Sequence, residues 1–316
     1  MTPPDATPFL RRLADRAVSV VCPAKINLTL SVGPPRPDGM HPIDSLMLGL
    51  GHCFADTLSL EALDELPSRF SRSFAQDAPL RQTIDWPIAS DLACRAHGLM
   101  QEYVGRGLPI AANLIKRIPA GSGLGGGSAD AAGMMVGLNV LFDLGLSSDQ
   151  LVQLGLRLGS DIGFAVHIQL GHRAARVSGI GDVIDPVQPH NALNLVLILP
   201  DVPCPTEQVY RAFDRLSGEL DHTRPHGAEL YHQRVIDLLS LEPSNDLVQA
   251  AMLTAPKMRE IAESCRELGQ NPHVTGSGSA MYLVCETFEI AEQHSQSLSR
   301  MGVAAIRMKV ETEDRS

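Results

Sequence analysis

The sequence predicts a protein of mixed α and β structure, and three observations carry that reading. The chain has 316 residues, enough for two domains or one large one at roughly 150 residues per domain. Its apolar fraction of 44% and charged fraction of 20% match ordinary globular chains with a sizeable packed core. Runs with strand-like alternation and runs with helical spacing both occur along it.

The stretch VSVVCPAKINLTLSV, from Val18 onward, alternates apolar or β-branched residues with others on either side of Pro23 and reads as two short strands joined at a bend. GPPRPDGMHP then supplies a turn. Residues 44–60 are apolar and predict further strand, whereas 61–88 show little periodicity. From Asp91, the residues Leu92, Ala96, Leu99 and Tyr103 fall at helical spacing, and Gly105 and Gly107 end the run. PIAANLIKRIP fits a strand. A glycine run follows it and leads into a helix carrying Met135, Leu138 and Phe142 on one side. Ser147-Ser148-Asp149 predicts a capped helix, and a further helix or strand starts near Asp161. DPVQPHNA reads as loop before the strand NLVLILP, which puts a boundary candidate near 185–192. Residues 211–243 are polar and broken by histidine and proline, as expected of an insertion. TAPKMREIAESCRELG predicts a helix, followed by the loop NPHVTGSGSA and the strand MYLVCE.

Composition removes several function classes. With 26 basic against 36 acidic residues and only 1 Trp, 4 Tyr and 8 Phe, a basic, base-stacking surface for nucleic acid is not expected. The six cysteines lie far apart in sequence, without zinc-ribbon or redox spacing. Arg11, Arg12, Asp15 and Arg16 interrupt the N-terminal stretch where a signal peptide needs its apolar run, and no later run approaches a membrane span. The expectation is a cytoplasmic protein with reduced thiols, no membrane association and no obligate protein partner.

The most informative segment is Pro119 through Asp130, PAGSGLGGGSAD. Gly121, Gly123, Gly125, Gly126 and Gly127 let backbone amides approach an anion, and the helix that follows points its positive end at the loop. Gly127 stands where a Walker A loop requires lysine, so this is a different phosphate cradle. Gly121, Gly123 and Gly126 also satisfy G-x-G-x-x-G, which keeps a dinucleotide fold under consideration. A plain surface loop is the bland alternative.

Other residues carry two readings each. Lys25 and Asn27 share one face of an apolar strand, where Lys25 either neutralises a phosphate or developing alkoxide or guards a sheet edge. Asp161 in LGSDIGF is either a general base for a hydroxyl or a helix N-cap. His41, after Asp38-Gly39, is a ligand contact or a turn residue. The loop Thr275 to Ala280 either brings amides and hydroxyls to a phosphate or is a connection that needs glycine conformations.

Together these segments resemble the GHMP kinase superfamily. PAKINLTLSVGPPRPDGMH at 23–41, PAGSGLGGGSADAA at 119–132 and HVTGSGSA at 273–280 occur in the family order, with LGSDIGF at 158–164 and SGIGD at 178–182 as further family segments. PAKIN followed by an Arg-x-Asp-Gly-x-His turn points to the branch that acts on a cytidine diphosphate substrate. The resemblance implies an α+β, two-domain fold: a ribosomal protein S5 domain 2-like N-terminal domain over 1–188 and a ferredoxin-like C-terminal domain over 189–316. It implies phosphoryl transfer from ATP, with Mg²⁺ carried by the nucleotide and no metal ligands of the chain's own. The acceptor would be the 2-hydroxyl of a methylerythritol unit in the non-mevalonate isoprenoid pathway.

Residue by residue, the resemblance makes Asp161 the catalytic aspartate and Lys25 the lysine that orients the hydroxyl. Pro119, Ala120, Gly121, Ser122, Gly123, Leu124, Gly125, Gly126, Gly127, Ser128 and Ala129 would hold ATP. Asn27, His41, Thr206, Tyr210, Gly276 and Ser277 would place the substrate, Tyr210 by stacking on cytosine. Met40 replaces the tyrosine usual before the histidine, and Asp91 replaces an asparagine common near the adenine. The rival expectations are another GHMP kinase of small alcohols, a nicotinamide-dependent Rossmann oxidoreductase and a silent nucleotide-binding module.

Overall fold

The computed structural model describes residues 7–217, 235–236 and 243–311. In chain order the strands are β1 (Leu10–Ala14), β2 (Ala17–Pro23), β3 (Lys25–Val32), β4 (Ile43–Gly49), β5 (Ala55–Ala62), β6 (Arg69–Phe74), β7 (Ile110–Lys116), β8 (Ala174–Gly179), β9 (Val183–Pro189), β10 (Leu193–Leu199), β11 (Val235–Ile236), β12 (Ser244–Asn245), β13 (His273–Val274), β14 (Met281–Cys285) and β15 (Ala304–Val310). The helices are α1 (Leu92–Val104), α2 (Gly126–Leu141), α3 (Ser148–Leu156), α4 (Ser160–Gln169), α5 (Thr206–Ser217), α6 (Val248–Thr254), α7 (Lys257–Glu267) and α8 (Phe288–Arg300). The chain forms two compact units. One comprises the residues up to Lys25 with Gly49–Ala120 and Gly125–Arg173; the other comprises Ile26–Leu48, Gly121–Leu124 and the residues from Ala174 on.

The first unit is built on a five-stranded sheet in the order β1-β2-β5-β7-β6. Strand β7 leads into the glycine run, and it pairs antiparallel with β5, Leu58 opposite Leu114. Its other neighbour, the edge strand β6, is parallel, but a dinucleotide fold flanks the strand before that loop with parallel strands on both sides, so the G-x-G-x-x-G spacing does not signify one. Helix α2 is buried on every side from Ala129 to Leu141, not only along the Met135, Leu138 and Phe142 face expected from periodicity. Small residues make this burial feasible. A Cβ at Gly133 would stand 2.4 Å from Cys22 Sγ of β2, and one at Gly137 would stand 2.6 Å from Leu60 Cδ1 of β5. Helix α1 follows its predicted limits, with Asp91 as N-cap accepting from Ala93 N and Gly105 as a left-handed C-cap. Its buried face is Ala93, Ala96, His97, Leu99 and Met100, while Tyr103, expected on that face, is exposed. Helix α3 opens on Ser147 with a full capping box to Gln150, as its sequence predicts.

Two strands escape the sequence reading. Strand β6 lies in the stretch without evident periodicity because it is a polar edge strand, Arg69, Ser71 and Ser73 exposed in alternation with half-buried Phe70, Arg72 and Phe74. Strand β9 covers most of the segment read as loop around 185–192. It pairs antiparallel with β8, and Pro186 stands opposite Ala175 without ending the strand.

The second unit contains a six-stranded sheet in the order β11-β9-β8-β4-β3-β12 and a four-stranded sheet in the order β13-β14-β10-β15. All pairs of the smaller sheet are antiparallel. Its core joins Val196 and Ile198 of β10 and Met281 and Leu283 of β14 to Val209, Phe213, Ala251, Met258 and Leu298 of the helices. The insertion expected at 211–243 begins inside α5, and residues 218–234 and 237–242 lie outside the described residues. Among the described residues no helix is long and apolar enough to cross a membrane.

Two predictions concern stability. Gly133→Ala forces a methyl against Cys22 and is expected to lower unfolding stability by about 1–3 kcal/mol, measured by denaturant titration. Burial, with the nearby His172 charge adding to it, pushes His167 down from its ordinary 6.5 to about 4. Burial lowers His97 and His273 as well. Below pH 6.5 these three histidines bind more protons in the unfolded chain than in the fold, so their contribution to stability falls with pH down to about 4. Denaturation midpoints at pH 7 and pH 5 should show this loss, and His167→Gln should make it smaller.

Candidate active site

Strand β3 opens with Lys25, whose residue is 6% exposed. A buried ammonium requires a carboxylate partner, and Lys25 Nζ lies 3.3 Å from Asp161 Oδ2. Asp161 is the second residue of α4, and the cap position belongs to Gly159 without a side-chain cap. The N-cap reading of Asp161 therefore gives way to a carboxylate that faces Lys25 from the first turn of a helix. A third of the Asp161 side chain remains exposed, so a hydroxyl can reach it while its partner stays dry.

The same lysine is shaped by the glycine run. Gly125 is the N-cap of α2, with φ +69 and no side-chain cap, and a Cβ there would lie 3.1 and 3.2 Å from Lys25 Cγ and Cε. Helix α2 thus opens on an uncapped amino end beside the Lys25 stem, with the first-turn amides that a helix cannot satisfy internally. Ser128 is the third residue of α2 rather than its cap. The first intrahelical bond runs from Ala129 N to Gly125 O at 2.9 Å.

Beneath this amino end lies an ion network that the sequence reading missed. Lys116 Nζ donates to Asp56 Oδ2 and to Asp130 Oδ2, each at 2.5 Å, and all three groups are buried. Asp56 Oδ1 also accepts from the backbone amides of Arg117 and Ile118, at 2.5 and 2.8 Å. A Cβ at Gly126 would lie 3.7 Å from Asp56 Oδ2. Burial, together with the neighbouring Asp56 charge, pushes the Asp130 carboxyl up despite the Lys116 ammonium. Burial alone would lower Lys116, but the two carboxylates outweigh it and hold the ammonium above its ordinary range. The sequence carried a signal for it: Lys116 shares the buried face of β7 with Ile110, Ala112 and Leu114, and such a lysine demands buried acids.

In the second unit, Gly121–Leu124 meets the loop after β13. Ala280 N donates to Ser122 O at 2.9 Å, and a Cβ at Gly123 would lie 2.3 Å from the Thr275 carbonyl oxygen. Only glycine permits that approach. Asn27 is buried behind the same loop: its backbone amide donates to Thr275 Oγ1 at 3.0 Å, and its Nδ2 donates to Ser45 Oγ at 2.8 Å. Asn245, not singled out from sequence, donates through Nδ2 to the carbonyls of Val274 and Gly276 at 2.8 and 2.9 Å. Thr206 Oγ1 and Ser277 Oγ are 2.9 Å apart, which brings the start of α5 to the loop.

His41 folds back from its turn and contacts the Gly33 carbonyl through Nδ1 at 2.9 Å. Its Nε2 lies 3.3 Å from Asp214 Oδ1, and its ring centroid is 5.1 Å from that of Tyr210. His41 and Tyr210 are therefore brought together, with Asp214 as a partner the sequence reading missed. Met40, beside His41 in the chain, is exposed.

A chain with this geometry matches the GHMP kinases N terminal domain model over residues 91–184. It is 32% identical over 307 residues to 4-diphosphocytidyl-2-C-methyl-D-erythritol kinase of Pseudarthrobacter chlorophenolicus, covering 93% of each chain. The chain belongs to that kinase family. Against the 4-diphosphocytidyl-2-C-methyl-D-erythritol kinase of Symbiobacterium thermophilum it is 41% identical over 200 residues, 63% of this chain and 66% of that protein. A crystal structure of 4-(cytidine 5'-diphospho)-2C-methyl-D-erythritol kinase superposes with a TM-score of 0.68 at 29% identity, covering 93% of this chain and 99% of that one. Homoserine kinase from Cytophaga hutchinsonii, at 14% identity and a TM-score of 0.61, shares the fold over 96% of this chain and 97% of its own. The fold is that of the GHMP kinases, with mixed α and β content.

For a member of this kinase family the glycine beside the lysine is testable. Gly125→Ala places a Cβ against the Lys25 stem in a left-handed backbone. It is expected to cost about 1–2 kcal/mol of stability and to lower kcat by roughly tenfold or more through displacement of Lys25, measured by thermal melting and steady-state kinetics.

Proposed function

We propose that the protein transfers the γ-phosphoryl group of ATP to the 2-hydroxyl of 4-diphosphocytidyl-2-C-methyl-D-erythritol, in the non-mevalonate route to isoprenoid precursors. The observation that carries this reading is the Lys25–Asp161 pair, 3.3 Å apart, with the uncapped amino end of α2 beside the lysine stem. In the reaction the substrate hydroxyl oxygen bonds to the γ-phosphorus, the bond from that phosphorus to the β–γ bridging oxygen breaks, and ADP leaves. Asp161 accepts the hydroxyl proton. Lys25 holds the Asp161 carboxylate in place and offsets negative charge at the transferring group. The glycine run from Pro119 to Ala129 supplies amides to the nucleotide phosphates.

Among the described residues no group of three or more His, Cys, Asp or Glu is arranged to hold a metal. A Mg²⁺ ion would enter with the nucleotide and would there offset phosphate charge. The cytidine end of the substrate is assigned to the second unit: Tyr210 for stacking, His41 for the base edge, and the Thr206–Ser277 pair with Gly276 for the diphosphate. Asn27 serves that loop from behind through Thr275. Exposed Met40 supplies a thioether in place of an aromatic ring. This reading extends to a ribosomal protein S5 domain 2-like segment over 1–188, a ferredoxin-like segment over 189–316, and a cytoplasmic enzyme. The first unit lies within 1–188, and the second takes Ile26–Leu48, Gly121–Leu124 and residues 174–188 from that segment.

The test is ADP formation by the purified protein with Mg-ATP and 4-diphosphocytidyl-2-C-methyl-D-erythritol, beside mevalonate, homoserine and galactose, with the product identified by mass. Turnover with the cytidyl substrate alone is expected, and turnover with another alcohol instead would withdraw the substrate. Asp161→Asn should lower kcat by roughly 10²–10⁴ with ATP affinity retained, and Lys25→Ala should act chiefly on kcat. Full activity in Asp161→Asn removes the aspartate from the mechanism.

A further inference from the structure

The catalytic reading uses His41 and Tyr210 and gives Asp214 no part. His41 ends a turn that is closed by its own backbone: Gly39 N donates to Arg36 O at 2.8 Å, Arg36 N to Met40 O at 2.9 Å, and Gly33 N to Pro42 O at 2.8 Å. The His41 side chain is 6% exposed. A carbonyl oxygen can only accept, so Nδ1 donates to Gly33 O at 2.9 Å and ties the ring to the base of its turn. The opposite edge of the ring, at Nε2, meets a carboxylate oxygen, Asp214 Oδ1, at 3.3 Å. Turning the ring over would put carbon at both oxygens, so the two contacts together select one orientation of the imidazole.

Asp214 belongs to α5, and its neighbours on that helix are the residues the ring touches. Tyr210, Phe213 and Asp214 stand at i, i+3 and i+4, on one face of the helix. The His41 ring centroid is 5.1 Å from that of Tyr210, in a tilted pair, and 6.2 Å from that of Phe213, edge-on. Phe213 is buried in the core with Val209, which fixes this stretch of α5. Thr206, one turn before Tyr210, is joined to Ser277. Along α5 there follow, a turn of about 6 Å apart, the Thr206–Ser277 pair assigned to the diphosphate, the Tyr210 ring assigned to the base, and the carboxylate that meets His41. Packing of one ring on another leaves the imidazole free to turn in its own plane, and the carboxylate supplies the missing direction.

We propose that Asp214 is a positioning residue for the cytidyl substrate: it holds the His41 imidazole in one orientation beside Tyr210, so that the place for the base is formed before the substrate arrives. The proposal deepens the cytidyl-kinase reading and rests on it. A group already fixed loses little freedom when a ligand packs on it, and that saving appears as affinity. An exposed ion pair by itself adds little to stability, and the Asp214 side chain is 44% exposed. The contact therefore acts on substrate affinity and leaves the stability of the fold nearly unchanged.

Asp214→Ala is expected to raise KM for 4-diphosphocytidyl-2-C-methyl-D-erythritol about tenfold, with kcat and KM for ATP within about twofold of wild type and the melting temperature unchanged. Calorimetry with CDP should show the same loss, while ADP binds as it does to wild type. Asp214→Asn, which keeps an oxygen toward Nε2, should recover most of the affinity. Because Asp214 acts through His41, Asp214→Ala should change nothing further in a His41→Ala background. Unchanged KM and CDP affinity in Asp214→Ala, with CDP bound by wild type, overturns the proposal and leaves the cytidyl reading intact. Additive losses in the double variant overturn it as well, because the two residues would then act separately. An equal loss of CDP and ADP affinity also overturns it, since that means general damage to the protein. Wild type that binds ADP but not CDP removes the cytidyl reading and this proposal with it.

Discussion

A buried ammonium between two buried carboxylates is the interaction on which the end of the first unit around the glycine run depends. Lys116 closes β7, Asp56 opens β5 with its second residue, and Asp130 sits in the second turn of α2. Their contacts tie together the strand before the glycine run, the backbone of Arg117 and Ile118, and the helix after the run. Such a network gains little net stability over apolar packing, because desolvating the charges offsets most of their attraction; losing one member leaves an uncompensated buried charge. What it supplies is position. A run of glycines has the largest conformational freedom of any sequence, and fixing both of its ends turns that freedom into a defined cradle of amides.

The second unit solves the same problem with neutral groups. Its glycine loop after β13 is held by Asn27, which bonds to the Thr275 hydroxyl, and by Asn245, which donates to the carbonyls of Val274 and Gly276. Tyr282 adds its hydroxyl to the Asn27 carbonyl at 3.1 Å. Asn27 and Tyr282 are buried, Asn245 is half-buried and all three are hydrogen-bonded, so the loop shape is specified without a net charge in the interior. The contrast fits the chemistry proposed for each place: a charged network under the amides that meet ATP, and an uncharged one around the hydroxyls assigned to the diphosphate of the substrate.

Much of the site could be read from the chain because the chemistry demands particular residue types close together. The glycine run, the paired Lys25 and Asn27, and Asp161 among small residues all announce themselves, and the structure gives Lys25 and Asp161 to each other. Asp56, Asn245 and Asp214 could not be read in this way. Each is an ordinary residue in its local sequence and gains its role from a partner dozens or hundreds of residues away, as with Asp56 and Lys116, Asn245 and Gly276, or His41 and Asp214. Strand β6 was hidden for a related reason. At a polar edge, alternation between half-buried and exposed residues leaves little apolar contrast.

The sequence by itself determined the mixed α and β character, the limits of α1, the capped start of α3, the strand before the glycine run and the family. These rest on local rules of periodicity, capping and glycine conformation, which act within a few residues. Only the tertiary structure decided that Asp161 faces a lysine instead of capping a helix and that α2 is buried all round. Those outcomes turn on which groups meet after packing, and buried charge and close-packed volume are satisfied between distant segments.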